Sequence, residues 1–243
     1  TLVMAGSAME LRRLGKARKP FHVVPNHMLE SYSAEFVRLY PQAKVLIASK
    51  DDLCGDKRRT FAARIAMGDW DSVVMTQSTF ERIPLAPETQ REFLDGLVME
   101  ARAMLNVAQD SGAKRSIKEV EKRIKDLEAR LQRLAEAKAD DASVVWFDEL
   151  GCDWINYDES HGLKNLVRIS KMPRIAGLSN AASQKAFDAF MKTRLIMRAR
   201  GGVEEGVVMA SATPISNSLA ELHTAQVFLQ PYTLKRHGLY EFD

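Results

Sequence analysis

Five short runs of apolar, largely β-branched residues punctuate the chain: FHVVP (21–25), KVLIAS (44–49), SVVMTQ (72–77), WINYDE (154–159) and GVVMASAT (206–213). Each run is continuous rather than alternating, the pattern of strands covered on both faces of a parallel sheet. Between the runs, apolar residues recur at intervals of three and four. In NHMLESYSAEFVRLY, Met28 or Leu29 joins Tyr32, Phe36 and Leu39 on one helical face. KRRTFAARIAMGDW links the second and third runs, and SQKAFDAFMKTRLIMRARG carries Phe187, Phe190, Leu195 and Met197 to a stop at Gly201. The opening TLVMAGSAMELRRLGKARKP reads as an amphipathic helix with no cap. Strands alternating with helices in this way predict an α/β three-layer sandwich around a mostly parallel sheet.

From Glu92 to Asp140 the alternation stops, and the chain becomes highly charged and helical. Ile117, Val120, Ile124, Leu127, Leu131 and Leu134 form a heptad seam, and Ser116 with Glu119 has the spacing of a capping box. Leu94, Leu97, Ala101, Met104 and Ala108 make a second stripe, with DSGAKRS (110–116) as the turn between them. The expected organisation is one α/β domain, residues 1–91 and 141–243, with an antiparallel helical hairpin, 92–140, inserted after the third strand. Such a hairpin is either a solvated surface feature or an arm that meets DNA or a partner.

Composition narrows the class. The 243 residues suffice for one large domain, and 46% hydrophobic with 28% charged residues is ordinary globular material. A net charge of +3 permits a nucleic-acid partner without requiring one. Cys54 and Cys152 are the only cysteines, in no ligand-like spacing, which argues against a disulfide scaffold or a zinc site and fits a reducing cytoplasm. No apolar run approaches the roughly 20 residues that span a bilayer. The basic residues near the N-terminus follow the apolar ones, the reverse of a secretory signal. With no initiator Met, the chain reads as cut from something longer.

The placement of polar residues carries more. WINYDESHGLKNL ends an apolar strand in Asp158 and Glu159, and desolvated carboxylates must be paired, neutralised or metal-bound. In P-loop nucleotide hydrolases a strand-end Asp orients Mg²⁺ and an adjacent Glu polarises the water that attacks the γ-phosphate. A surface turn would also accommodate the pair. Three more strand ends, however, deliver hydrogen-bonding residues: Pro25 and Asn26, then Thr76, Gln77 and Ser78, then Ser211 and Thr213 in SATPISNSLAEL. There Pro214 breaks the strand and capping residues open a helix. In an open parallel sheet the crevice above these ends is where ligands bind. Taken alone, His161 is a polar residue near a turn, Lys164 a solvated cation or a phosphate contact, and Phe80 and Trp154 core.

YDESH followed by SATP at this separation resembles motifs II and III of superfamily-two helicases and translocases, the first being a DEAD/DEAH-type box. VVPNHMLE resembles motif Ia, and DSVVMTQSTFERI the DNA-contacting motif ahead of the hairpin. The ensemble is similar to the Snf-type helicase lobe of very large bacterial, phage and plasmid proteins, where it often accompanies an adenine-specific DNA methyltransferase domain. The resemblance covers essentially the full chain. It implies a RecA-like P-loop NTPase lobe that uses ATP and Mg²⁺ to move on DNA, double-stranded in the Snf type, beside a second helicase lobe. Asp158 would hold the Mg²⁺ shell, Glu159 would be the general base, and His161 would couple hydrolysis to movement through Ser211 and Thr213. Pro25, Asn26, Thr76, Gln77 and Ser78 would lie along the nucleic-acid track.

The chain departs from that family in its phosphate-binding loop. No G-x-x-x-x-G-K-[ST] occurs; GSAMELRRLGKA has the wrong spacing and Ala17 where a hydroxyl is required. The resemblance then makes Thr1 the hydroxyl residue of such a loop and a Mg²⁺ ligand, with the first strand and the Lys upstream. The second lobe's arginines are also missing, and Asn156 needs a hydrogen-bond partner if buried. The expected function is that of a motor lobe in a parent ATP-dependent translocase or helicase, the chain by itself being inactive. The alternatives are a degenerate lobe that binds nucleic acid without hydrolysis, and a scaffold assembled through the hairpin.

Overall fold

The structure, a computed structural model, describes residues 1–49, 52, 57–110, 114–136, 144–166, 183–215 and 219–240. Each of the five apolar runs forms a strand: β1 Pro20–Val24, β2 Val45–Ala48, β3 Ser72–Thr76, β4 Trp154–Tyr157 and β5 Val207–Met209. They make one sheet in the order β2-β3-β1-β4-β5, and every pairing is parallel. The fold is α/β, with helices flanking the sheet.

The two-residue period of a strand divides the side chains between two layers. On one face, Phe21, Val73, Met75, Ile155 and Tyr157 join the main core with residues of α3 (Lys57–Met67), α4 (Gln77–Arg82), α7 (Gln184–Ala199) and α8 (Leu219–Leu229). On the other, Val24 and Val74 meet Met4 and Ala5 of α1 (Leu2–Arg13) and Tyr32 and Phe36 of α2 (Leu29–Leu39). The Ser183 hydroxyl caps α7 by accepting from Ala186 N, and Gly201, at φ 84, turns the chain out of the helix. A short α9 (Pro231–Arg236) completes the described chain.

The direction of α1 matters for the site. Its C-terminal turn sits at the start of β3, where Arg12 pairs with Asp69 at 2.7 Å and with Asp71. Its N-terminal turn packs Met4 and Ala5 near Val24 and Ala210, at the strands' far ends. A helix of this length spans about 18 Å, close to the length of the strands beneath it. Thr1 therefore lies at the C-terminal edge of the sheet.

The charged segment folds as α5 (Pro87–Asp110) and α6 (Lys114–Glu136), an antiparallel pair. Leu94, Val98 and Leu127 cluster with Leu97, Leu131, Leu134 and Phe187 of α7. Farther out, Ala101, Val120 and Ile124 pack with Met104 and Leu105. The seam contains most of the expected residues together with Val98 and Leu105, while Ile117 is in neither cluster. Two boundaries differ from expectation. Helix α5 starts at Pro87 rather than Glu92, because Pro is suited to a first helical position and the turn is fastened by Asp148 accepting from Ala86 N. Helix α6 is described from Lys114, so Ser116 and Glu119 lie within its span. Residues 111–113 of the expected turn, and Cys54, lie outside the described residues. Among the described residues, no helix is long and apolar enough to cross a membrane.

One buried polar group lies beneath α1 and α2. His22 is fully buried, with Nδ1 2.7 Å from Tyr32 Oη and Nε2 3.3 Å from Ser72 Oγ. Burial pushes its pKa down to about 3.

Two stability predictions follow from this packing. An unfolded His takes up its proton near pH 6.5, whereas folded His22 stays neutral until about 3. Acidification across that window therefore favours the unfolded chain, by at most roughly 5 kcal/mol at its lower end. Urea unfolding of His22→Gln at a series of pH values should lack that component of the acid sensitivity. Leu127→Ala should lower the unfolding free energy by about 3 kcal/mol by opening the seam against Phe187, read as a shifted urea midpoint at constant slope.

Candidate functional site

The sheet's hydrogen-bond ladder continues past the end of β4. Asp158 N donates to Val23 O at 2.8 Å, Ser160 N to Ala210 O at 2.9 Å, and Ala210 N to Tyr157 O at 2.9 Å. Between these fixed points Glu159 adopts φ 50, ψ 50, the one positive-φ residue other than glycine among those described. A left-handed backbone costs a side-chain-bearing residue of order 1 kcal/mol. The bend brings His161 back toward the preceding carboxylate. His161 Nδ1 lies 3.0 Å from Glu159 Oε2 and 3.3 Å from Ser211 Oγ. Ser211 Oγ in turn accepts from Thr213 N at 3.1 Å. Glu159 and His161 are 42% and 44% exposed, so this cluster faces the crevice above the sheet.

Asp158 sits on the α1–α2 side of the sheet. Its Oδ1 accepts from Glu159 N at 3.0 Å. Burial holds the Tyr32 phenol above its usual range, and the negative charges of Asp158 and Glu35 add to the shift. Thr1 begins α1 at the same edge, and its side chain makes no capping bond. Among the described residues no group of three or more His, Cys, Asp or Glu side chains converges as a metal cage. Mg²⁺ carried by nucleotide phosphates keeps several waters and needs only one or two protein oxygens, so one carboxylate and one hydroxyl are a fitting donor set.

At the ends of β1 and β3 the expected track residues divide. Pro25 leads out of β1 into a 3-10 turn over Asn26–Met28. Asn26 is exposed, and its Oδ1 accepts from Ser78 Oγ at 2.8 Å. Thr76 is buried; its Oγ1 accepts from Thr79 N at 3.1 Å and donates to Thr79 Oγ1 at 2.9 Å, so it caps α4. Gln77 turns inward. Its Nε2 donates to Asp158 O at 2.9 Å, and its Oε1 accepts from Lys185 Nζ at 2.8 Å. Lys185 is also 3.3 Å from Glu81. Asn26 and Ser78 thus remain at the surface, while Thr76 and Gln77 are engaged from within.

Other singled-out residues have clear places. Lys164 donates to Glu221 at 3.0 Å, and that carboxylate is 2% exposed, so the lysine fastens the turn after Glu159 to α8. Phe80 and Trp154 are core. Asn156 is fully buried opposite His22 and Val208, and neither atom of its amide finds a partner among the described residues. The capping residues Ser216–Ser218 lie outside the described residues. Lys185 and Glu221 were not foreseen, each reading in sequence as one charge on a helix.

No curated protein matches the chain. A family model described as a probable helicase domain matches residues 1–243, the whole chain. The sheet with polar residues at its strand ends, and the Asp158–Glu159 turn tied to Ser211, are thus features of a chain that belongs to the probable helicase domain family.

Proposed function

We propose that this chain is the ATP-hydrolysing motor lobe of a Snf-type DNA translocase or helicase. The observation that carries the reading is His161 Nδ1 within reach of both Glu159 Oε2 and Ser211 Oγ. It joins the segment following β4 to the segment following β5, as a nucleotide-driven switch requires. Thr1 and Asp158 would hold Mg²⁺, which when bound offsets the charge of the phosphates. Glu159 accepts the proton of the attacking water, and its left-handed backbone keeps the carboxylate turned into the crevice. His161 holds that carboxylate and links it to Ser211 and, through the Ser211 hydroxyl, to Thr213. Asn26 and Ser78 supply surface polar groups for the phosphate backbone of double-stranded DNA, and Pro25 shapes the loop that presents Asn26.

Strand β5 leaves one edge of the sheet open. Among the described residues it pairs only with β4, and Val207, Val208 and Met209 are half-buried rather than covered. The hairpin over 92–140 is an insertion in a RecA-like lobe made of 1–91 and 141–243. The second helicase lobe, and in the resembling proteins an adenine-specific methyltransferase domain, are partners in the parent. The rival reading, a degenerate lobe that binds nucleic acid without hydrolysis, is favoured by the unpartnered amide of Asn156 in the central strand β4.

Glu159→Gln, made in the protein that carries this lobe with its upstream residues, preserves shape and removes the proton acceptor. Turnover should fall about 100- to 10,000-fold while ATP affinity changes little, measured by phosphate release and nucleotide titration. Unchanged turnover would sink the assignment of Glu159. A wild-type protein that binds DNA but hydrolyses no ATP would leave the degenerate lobe standing.

A further inference from the structure

The inward side chain of Gln77 holds an informative peptide group. Asp158 O belongs to the planar unit that links Asp158 to Glu159, so a hydrogen bond to this oxygen also orients the Glu159 N–H. That N–H donates to Asp158 Oδ1, and its direction is set together with the φ of Glu159. Gln77 therefore grips the peptide unit that leads into the residue held in the left-handed region. Its own orientation is fixed from both ends. An ammonium group donates only, so Lys185 requires Oε1 to face it, and the amide NH₂ is left to face the Asp158 carbonyl. Glu81 balances the ammonium at 3.3 Å. A Cβ on Gly162 would lie 3.8 Å from Lys185 Nζ, so the lysine also abuts the turn that follows Glu159.

The neighbouring residue, equally half-buried and 3.1 Å from Thr76 Oγ1, reaches a different partner. Ser78 follows Gln77 within the first turn of α4, and its hydroxyl donates to exposed Asn26. A ligand that draws on Ser78 and Asn26 must pull on the same helical turn that holds Asp158 O. Deeper in the fold, Lys192 Nζ donates to Phe80 O at 2.6 Å and to Asp188 at 2.6 Å, which braces α4 against α7 beneath Lys185.

We infer that Lys185, acting through Gln77, is a positioning residue that transmits nucleic-acid contact at Asn26 and Ser78 to the backbone of Glu159. The inference rests on the motor-lobe reading and adds the route by which DNA controls its general base. With Lys185 removed, Gln77 still offers its NH₂ to Asp158 O but loses the anchor on its Oε1, so the side chain is held at one end only and the Glu159 turn relaxes independently of α4.

The test is an amide NMR titration of this chain with a short DNA duplex. In the wild type the Ser78 and Glu159 signals should both move. In Lys185→Met the Ser78 response should persist at the same affinity, while the Glu159 response falls about fivefold or more. Gln77→Leu should give the same loss from the other end of the link. Lys185→Arg, which still donates to Gln77 Oε1, should restore the Glu159 response and show that folding is not the cause. A Glu159 signal that follows DNA equally well in Lys185→Met overturns the inference. A wild-type chain whose Ser78 signal ignores DNA overturns the nucleic-acid reading and the inference with it.

Discussion

The backbone hydrogen bond from Asp158 to Val23 is the joint on which the arrangement depends. It extends the β1–β4 ladder one residue beyond the strand and brings the carboxylate-bearing turn into register with the central strand. From there Ser160 N reaches Ala210 O, which ties the same turn to the segment after β5. Side chains on three segments can meet above the sheet because the backbone beneath them is shared. Fold and site are thus continuous: the last rung of the ladder is also the floor of the crevice.

The two faces of the sheet divide the work. The face toward α3, α4, α7 and α8 is almost wholly apolar and carries the main core. The face toward α1 and α2 accepts polar side chains: His22 between Tyr32 and Ser72, Asn156 beside it, and Asp158 at the strand end. Burying such groups sacrifices stability unless each is matched. Where matching succeeds, as for His22, it adds a precise internal geometry close to the carboxylates.

Strands and hairpin were legible in the sequence for the same reason. Residues such as Val73, Val74 and Met75 are covered from both sides, and the α6 seam faces one partner at a regular interval, so burial leaves a periodic trace. The polar residues at the strand ends were legible by position but not by direction. Nothing local reveals that Thr76 spends its hydroxyl on a helix cap, or that Gln77 reaches the Asp158 carbonyl while Ser78 reaches Asn26. Lys185 left no trace at all, since its partner Gln77 is distant in sequence and a lysine on a helix usually meets water. Lys164 and Glu221 were hidden in the same way.

At position 159 the backbone asks for one residue and the side chain supplies another. Glycine or asparagine would rest more easily at φ 50 than glutamate does. Replacing the glutamate by either would relieve the backbone but take from His161 the carboxylate it meets at 3.0 Å. Backbone preference and side-chain contact therefore pull this site in opposite directions.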